Sequence, residues 1–297
     1  MEHPAVGIVG VGNMGGAMAA RLLEAGWPMQ VCDIDAARTQ TLALQGAQVR
    51  GTPALCAGGC AALIVCVVDA TQMEDVLFGP AGAAGALAQG LDVLLCPTIA
   101  PHDTERFAAR LAGCGFAVID APMSGGPARA RDGTMSLMLA GADEVIERQR
   151  GLIAALSGKV FRISARPGDG ARAKLVNNLL AGINLVGAAE AIALAERLGL
   201  RPEQALAVIE QSSGQSWIGS DRMHRAIAGD FEPRAHMTLL EKDTRLALEA
   251  ATAAGFDGPL GATAHAVFAQ ACGAGLQGLD DSAVLQLLRR STRAPAG

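Results

Sequence analysis

The sequence contains no tyrosine, and its aromatics amount to 3% of 297 residues, seven Phe and two Trp. Without tyrosine, a phenolic proton donor is excluded, and with it the Tyr-Lys pair of short-chain dehydrogenases and the Tyr of aldo-keto reductases. So few rings also exclude a base-stacking nucleic-acid surface. Charge is sparse at 18%, with a net charge of -5, so no excess of cations is present to neutralise a phosphate backbone. Seven cysteines stand at 32, 56, 60, 66, 96, 114 and 272, with no C-x-x-C among them. That scatter suits neither a disulfide framework nor a structural zinc site. It implies reduced thiols in a cytoplasmic protein. The five histidines, His3, His102, His224, His236 and His265, show no metal spacing, and no metal is expected. The amino terminus, Met-Glu-His-Pro, has no basic n-region of a signal peptide. The most apolar stretch, 175–195, is interrupted by Asn177, Asn178, Asn184 and Glu190, and reads as a helix of a soluble protein, not a membrane span.

What the sequence has is 51% hydrophobic residues, enough to bury one large core or two ordinary ones. Short apolar runs at 5–9, 29–32, 63–67, 93–96 and 117–119 read as strands. They are apolar along their whole length, as strands are when helices cover both faces of a parallel sheet. Helical patterns lie between them, over 14–22 with Gly26 as a stop, over 36–44 and over 103–111. Further strands are expected at 134–139 and 159–164, with one helix from 144 to 156 between them. After the break at 166–170 a helical pattern runs from Ala171 to Leu198 and stops at Gly199. Such a helix is roughly 40 Å long, the length of a spine joining two domains. Helices alone follow, over 202–211, 221–228, 239–254, 262–274 and 283–288, with a frayed tail at 293–297. The fold class is therefore α/β: a Rossmann-type doubly wound parallel sheet domain over 1–165, then an all-α domain over 166–297, joined by a long inter-domain helix.

Gly10-Val11-Gly12-Asn13-Met14-Gly15 fits G-x-G-x-x-G between the first strand and the first helix. Gly10 permits the tight turn, Gly12 lets backbone approach a pyrophosphate, and Gly15 lets the helix pack on the strand. Asn13 and Met14 open that helix, where N–H groups and the dipole favour an anion. A glycine-rich turn with no ligand is the alternative, and Asp33 weighs against it. It ends the second strand, eighteen residues after Gly15, where a carboxylate accepts ribose hydroxyls and repels a 2′-phosphate. No Arg follows it; Ile34 and Asp35 do, so the cofactor is read as NAD rather than NADP, with Asp35 as the cap of the next helix.

Four separated stretches resemble one family in order: 7–26 (GIVGVGNMGGAMAARLLEAG), 120–134 (DAPMSGGPARARDGT), 168–178 (GDGARAKLVNN) and Lys242-Asp243. They are similar to the β-hydroxyacid dehydrogenases, which include 3-hydroxyisobutyrate dehydrogenase, tartronate semialdehyde reductase and L-threonate dehydrogenase. The resemblance implies that Lys174 is the general acid–base, passing the hydroxyl proton while hydride moves to the nicotinamide. A lysine on a helix face is ordinarily solvated; one desolvated between domains has its pKa lowered toward neutrality. Asn178, four residues on, shares its face and is expected to hold the substrate hydroxyl or orient the ammonium, whereas Asn177 bonds locally. Ser124, Gly125 and Gly126 are implied to cradle the substrate carboxylate, Thr98 to stand by the nicotinamide ribose, and Lys242 to reach the cofactor. Val67 and Val68, read as the end of the fourth strand, pack on the adenosine side, and Asp243 is given a supporting role.

The stretches 67–79 and 213–230 look closest to the L-threonate dehydrogenase branch, although the Asn177-Asn178 pair is the broader family pattern. The expected activity is oxidation of a small 3-hydroxy acid, L-threonate-like or 3-hydroxyisobutyrate-like. Tartronate semialdehyde reduction, and an NAD-binding sensor that has lost catalysis, remain as alternatives. The long apolar helix is expected to be covered in part by a second subunit, in a homodimer or homotetramer.

Overall fold

The computed structural model describes residues 3–85 and 90–290. The expected tail at 293–297 lies outside them. The chain divides into two compact units, Met1–Lys174 and Leu175–Gly297.

Among its described residues the first unit has nine strands: β1 Val6–Val9, β2 Met29–Cys32, β3 Gln48–Val49, β4 Ala62–Val65, β5 Asp92–Leu95, β6 Ala117–Asp120, β7 Met123–Ser124, β8 Met135–Ala140 and β9 Ser157–Ser164. They form one sheet in the order 3-2-1-4-5-6-8-7, with β9 beside β8. The pairs from β3 to β6 are parallel; β8 runs antiparallel to β6 and β7. The helices between strands are α1 Asn13–Glu24, α2 Ala36–Ala43, α3 Pro53–Ala57, α4 Ala70–Phe78, α5 Pro101–Gly113, α6 Gly126–Asp132, α7 Asp143–Arg148 and α8 Arg150–Leu156. β1, β2, β4 and β5 are buried at every residue. Their side chains alternate between two cores: Ile8, Ile64 and Leu94 pack with Met18 and Leu22 on one face, Val9, Val65 and Leu95 with Phe107 on the other. The chain winds outward from β1 to β3, then returns to place β4 on the other side of β1. That reversal is the switch point at which open α/β sheets bind ligands, beyond the carboxyl ends of the strands.

The remaining α-helices among the described residues are α9 Asp169–Arg197, α10 Pro202–Glu210, α11 Trp217–Ile227, α12 Met237–Ala253, α13 Pro259–Ala271 and α14 Val284–Arg290. The second unit contains α10 to α14 and most of α9, and its core joins Leu185, Ala189 and Ile192 to Met223, Leu240, Phe268 and Leu285. Gly182 lets α12 and α13 approach α9, since a Cβ there would lie 2.8 Å from Thr244 Cγ2. Two buried ion pairs, Arg222–Asp281 at 2.6 Å and Arg225–Asp280 at 2.9 Å, fasten α11 to the segment before α14.

Several boundaries differ from the sequence reading. β4 ends at Val65, so Val67 and Val68 stand in the following loop and not in a strand. The helix expected over 144–156 is two helices meeting at Gln149, whose backbone leaves helical geometry and whose side chain donates to Asp92 at 2.7 Å. α9 starts at Asp169 and α11 at Trp217, earlier than periodicity implied; at α11 the start is set by the Ser216 cap, whose side chain accepts the Gly219 N–H, and not by an apolar position. α9 is also the one described helix long and apolar enough, by length and composition only, to cross a membrane.

Candidate active site

The loop after β1 has the geometry a dinucleotide needs. Gly10 has φ of 88°, and a Cβ on it would lie 2.6 Å from the Cys66 carbonyl oxygen. At Gly15 a Cβ would stand 1.9 Å from the Gly10 carbonyl oxygen, so no side chain fits. These contacts bring the start of α1 onto β1 and β4 and leave the first-turn N–H groups at the mouth of the switch point. Gly12 is the N-cap of α1 and makes no side-chain cap, while Asn13 is exposed and Met14 half-buried at the helix opening. The residues fit a bound dinucleotide: backbone close enough for a pyrophosphate, followed by an acid at the end of the next strand.

That acid, Asp33, has a second task. Its Oδ2 accepts the Val11 N–H at 2.7 Å and its Oδ1 the Asp35 N–H at 2.9 Å, tying the glycine loop to the turn after β2. Asp35 caps α2 through the Ala37 N–H, as the sequence indicated. Arg38 is what the sequence reading overlooked. It pairs with Asp35 at 3.2 Å, and a Cβ on Gly12 would lie 3.1 Å from its Nη1, so a guanidinium does stand beside the loop. The i, i+3 spacing from Asp35 was the available signal.

Opposite, in the loop after β4, Val67 is half-buried and Val68 exposed. Desolvation pushes the neighbouring Cys66 thiol up to about 12, so it is a neutral packing group. Thr98, half-buried, follows β5 in the next loop of the row.

Ser124 ends β7, and Gly125 and Gly126 follow with φ of 124° and 73°. Two successive left-handed residues make a concave turn that only glycines form without strain. Lys174 lies in the second turn of α9 and is 8% exposed. An ammonium or amine so deeply placed is uncommon and requires partners.

In the second unit, Asn178 is also 8% exposed. Its Nδ2 donates to Asp243 Oδ2 at 2.6 Å, and its Oδ1 accepts from Asn177 Nδ2 at 3.0 Å. Asn177 thus bonds locally. The Lys242 ammonium lies 3.0 Å from Asp243 Oδ1, off the direction of a hydrogen bond, and forms an ion pair with it. Asp243 is accordingly the joint between Asn178 and Lys242. Stoichiometry leaves the Asn178 amide one N–H and one lone pair for a further partner.

Among the described residues no group of three or more His, Cys, Asp or Glu could hold a metal ion. The seven cysteines are free thiols.

Residues 5–164 match the family model described as the NAD-binding domain of 6-phosphogluconate dehydrogenase, and residues 168–288 the one described as NAD-binding of NADP-dependent 3-hydroxyisobutyrate dehydrogenase. L-Threonate dehydrogenase of Cupriavidus necator is 38% identical over 282 residues, 95% of each chain. 3-Hydroxyisobutyrate dehydrogenase of Pseudomonas aeruginosa is 35% identical over 96% of this chain and 98% of its own. The crystal structure of a 3-hydroxyisobutyrate dehydrogenase from Salmonella typhimurium superposes with a TM-score of 0.90 at 35% identity, covering 95% of this chain and 99% of that one. The glycine loop, the serine-glycine turn and the buried helix lysine thus occur in a chain that belongs, over nearly its whole length, to the 3-hydroxyisobutyrate dehydrogenase family of β-hydroxyacid dehydrogenases, and it is an NAD-dependent hydroxy-acid oxidoreductase.

Proposed function

We propose that the chain oxidises the hydroxyl of a small 3-hydroxy acid, with L-threonate the first substrate to test and 3-hydroxyisobutyrate the second. The observation that carries this reading is the burial of Lys174 on α9. In the neutral form its Nζ accepts the hydroxyl proton as the carbonyl forms; in the reverse direction its ammonium returns that proton. A bound nicotinamide supplies the hydride acceptor. Ser124, Gly125 and Gly126 hold the substrate carboxylate, and Asn178, fixed by Asp243, holds the hydroxyl or the ammonium. Gly10, Gly12, Asn13, Met14 and Gly15 hold the pyrophosphate, and Asp33 the adenosine ribose, with preference for NAD over NADP. Val67, Val68, Thr98 and Lys242 complete the cofactor contacts. Residues 1–165 serve the cofactor and 166–297 complete the substrate site.

The protein acts in the cytoplasm as a homodimer or homotetramer. Val176, Leu180 and Leu194 are 71%, 58% and 57% exposed on α9, and Leu198, just past its end, is 69% exposed; at a helical period of about 3.6 they fall on one apolar stripe for a second subunit.

Purified protein, NAD and a panel of L-threonate, 3-hydroxyisobutyrate and other C4 and branched 3-hydroxy acids, followed by NADH absorbance, test the reading. Turnover restricted to tartronate semialdehyde with NADH would move the chain to the reductase alternative. NADH binding without turnover on any of them would leave the sensor.

A further inference from the structure

Asp120 ends β6 and is 2% exposed. A carboxylate at that depth requires compensating hydrogen bonds. Its Oδ2 accepts the N–H of Gly168 at 2.8 Å and that of Ala171 at 3.0 Å. Both donors belong to the opening of α9, where helix N–H groups lack carbonyl partners of their own. The neighbouring glycines make the approach possible. Gly168 has φ of 101°. A Cβ on Gly170 would lie 2.9 Å from Asp120 Cγ and Oδ2 and 2.8 Å from the Met138 carbonyl oxygen.

Lys174 follows Ala171 by three residues, one helical turn beyond the anchored N–H. In the other direction Ser124 follows Asp120 by four residues, across β7. One carboxylate therefore ties the start of α9 to the strand that runs into the serine-glycine turn. Asp169 at this helix start, 13% exposed, also accepts from the Ser164 hydroxyl at 2.7 Å, and ion pairs join it to Arg166 at 3.1 Å and Arg172 at 2.8 Å and join Arg172 to Glu105 at 2.6 Å, with the arginines and Glu105 half-exposed or more. Water screens those pairs, so they fix position weakly.

We infer that Asp120 is a positioning residue: by accepting the Gly168 and Ala171 N–H groups it holds the first turns of α9, and with them Lys174, in register with the Ser124–Gly126 turn. Asp120 touches no reacting group and acts through the helix. The inference rests on Lys174 being the acid–base. A lysine displaced by about 1 Å from its proton is a poor acid–base, with losses on the order of 100-fold.

Four variants test this together: Lys174→Ala, Asp120→Asn, Asp120→Ala and Gly170→Ala. For each, kcat on the best substrate is expressed per NADH-binding site, counted by fluorescence titration, beside the Kd for NADH. The Asn amide oxygen can occupy the place of Oδ2 and take both N–H bonds, so Asp120→Asn is expected within about threefold of wild type. Asp120→Ala and Gly170→Ala are expected to lose about 10- to 100-fold in kcat per site with the Kd for NADH unchanged. Wild-type kcat in Asp120→Ala and Gly170→Ala beside an inactive Lys174→Ala overturns the inference alone. So does an Asp120→Asn as inactive as Asp120→Ala, because the hydrogen bonds would then not be what matters. If Asp120→Ala does not fold, Gly170→Ala and Asp120→Asn decide by the same criteria. An active Lys174→Ala overturns the lysine reading itself, and this inference with it.

Discussion

The Asn178 amide Nδ2 and the Asp243 carboxylate Oδ2 are 2.6 Å apart, and this bond joins α9 to α12 where Gly182 lets Thr244 come close. It couples two residues of the second unit that the sequence reading had given separate tasks. Because the Lys242 ammonium pairs with the other oxygen of the same carboxylate at 3.0 Å, the orientation of Asn178 and the position of Lys242 depend on one group.

Replacing that group separates its two tasks. In Asp243→Asn an amide oxygen still accepts from Asn178, but Lys242 loses the charge of this carboxylate; the expected result is a nearly unchanged Tm with weaker NADH binding. In Asp243→Ala both contacts go. A lost hydrogen bond to a charged group costs about 1.5–3 kcal/mol, which lowers Tm on the order of 5 °C. Scanning fluorimetry beside NADH titration reads both quantities. An Asp243→Ala protein unchanged in each would remove Asp243 from the site.

Cofactor preference turns on Asp33. Its carboxylate repels a 2′-phosphate, so NAD should bind better than NADP. The pair Asp33→Ser, Ile34→Arg exchanges that repulsion for a guanidinium, and Arg38 already lies beside Gly12 as a second cation. The NAD-to-NADP preference should fall by about 10- to 100-fold, the worth of a charged hydrogen bond. Absolute NAD affinity should fall as well, because the Val11 N–H loses its acceptor. A wild-type protein that prefers NADP at equal concentrations contradicts the assignment.

The strands and the glycine loop were legible in the sequence because fully apolar runs and G-x-G-x-x-G carry their own physical meaning: Ile8, Ile64 and Leu94 could be named as core from pattern alone. The two-residue strands β3 and β7 were not, since two residues hold no periodicity. The end of β4 was misplaced onto Val67 because apolarity continues through Cys66 and Val67 after the ladder stops at Val65. Lys174, Asn178 and Ser124 were found only through the family resemblance. Their roles depend on tertiary burial, and the stretch around Lys174 alone reads as an ordinary helix. Asp120 was missed for the same reason, since its partner Gly168 is distant in sequence. Arg38 was missed although its i, i+3 spacing from Asp35 was readable; only its approach to Gly12 needed the fold.

Burial raises the Asp120 carboxyl from 3.8 to about 6, against the pull of the backbone N–H groups at the start of α9, and Asp169 adds to the rise. The native state therefore keeps its proton to higher pH than the unfolded chain does. Stability from this group is full below pH ~4, falls between about 4 and 6, and is level above that. The change is on the order of 3 kcal/mol. Asp120→Asn cannot titrate, so its stability relative to wild type should improve by about that amount as pH rises through this window. Denaturant titrations of the two proteins at pH 4, 5, 6 and 7 measure the difference, and a difference independent of pH would show that Asp120 has an ordinary pKa.

Lys174→Ala is the variant on which the proposed chemistry stands. Cofactor contacts are assigned to Gly10–Gly15, Asp33 and Thr98, so the Kd for NAD should change little. Loss of a positioned acid–base costs about 10²–10⁴ in rate. In the proposed mechanism the ammonium also donates to the substrate oxygen, which carries negative charge once its proton is taken, and removing such a donor costs a further 10²-fold or so. Turnover should thus fall close to the limit of detection, without loss of Tm beyond that of an ordinary buried truncation. Small primary amines added to Lys174→Ala should restore part of the rate, more for the amines that fit the vacated side-chain volume. Arg at this position should not rescue, because a guanidinium does not give up its proton near neutral pH. Near wild-type turnover in Lys174→Ala, or rescue by Lys174→Arg, would mean that the hydroxyl proton leaves by another route.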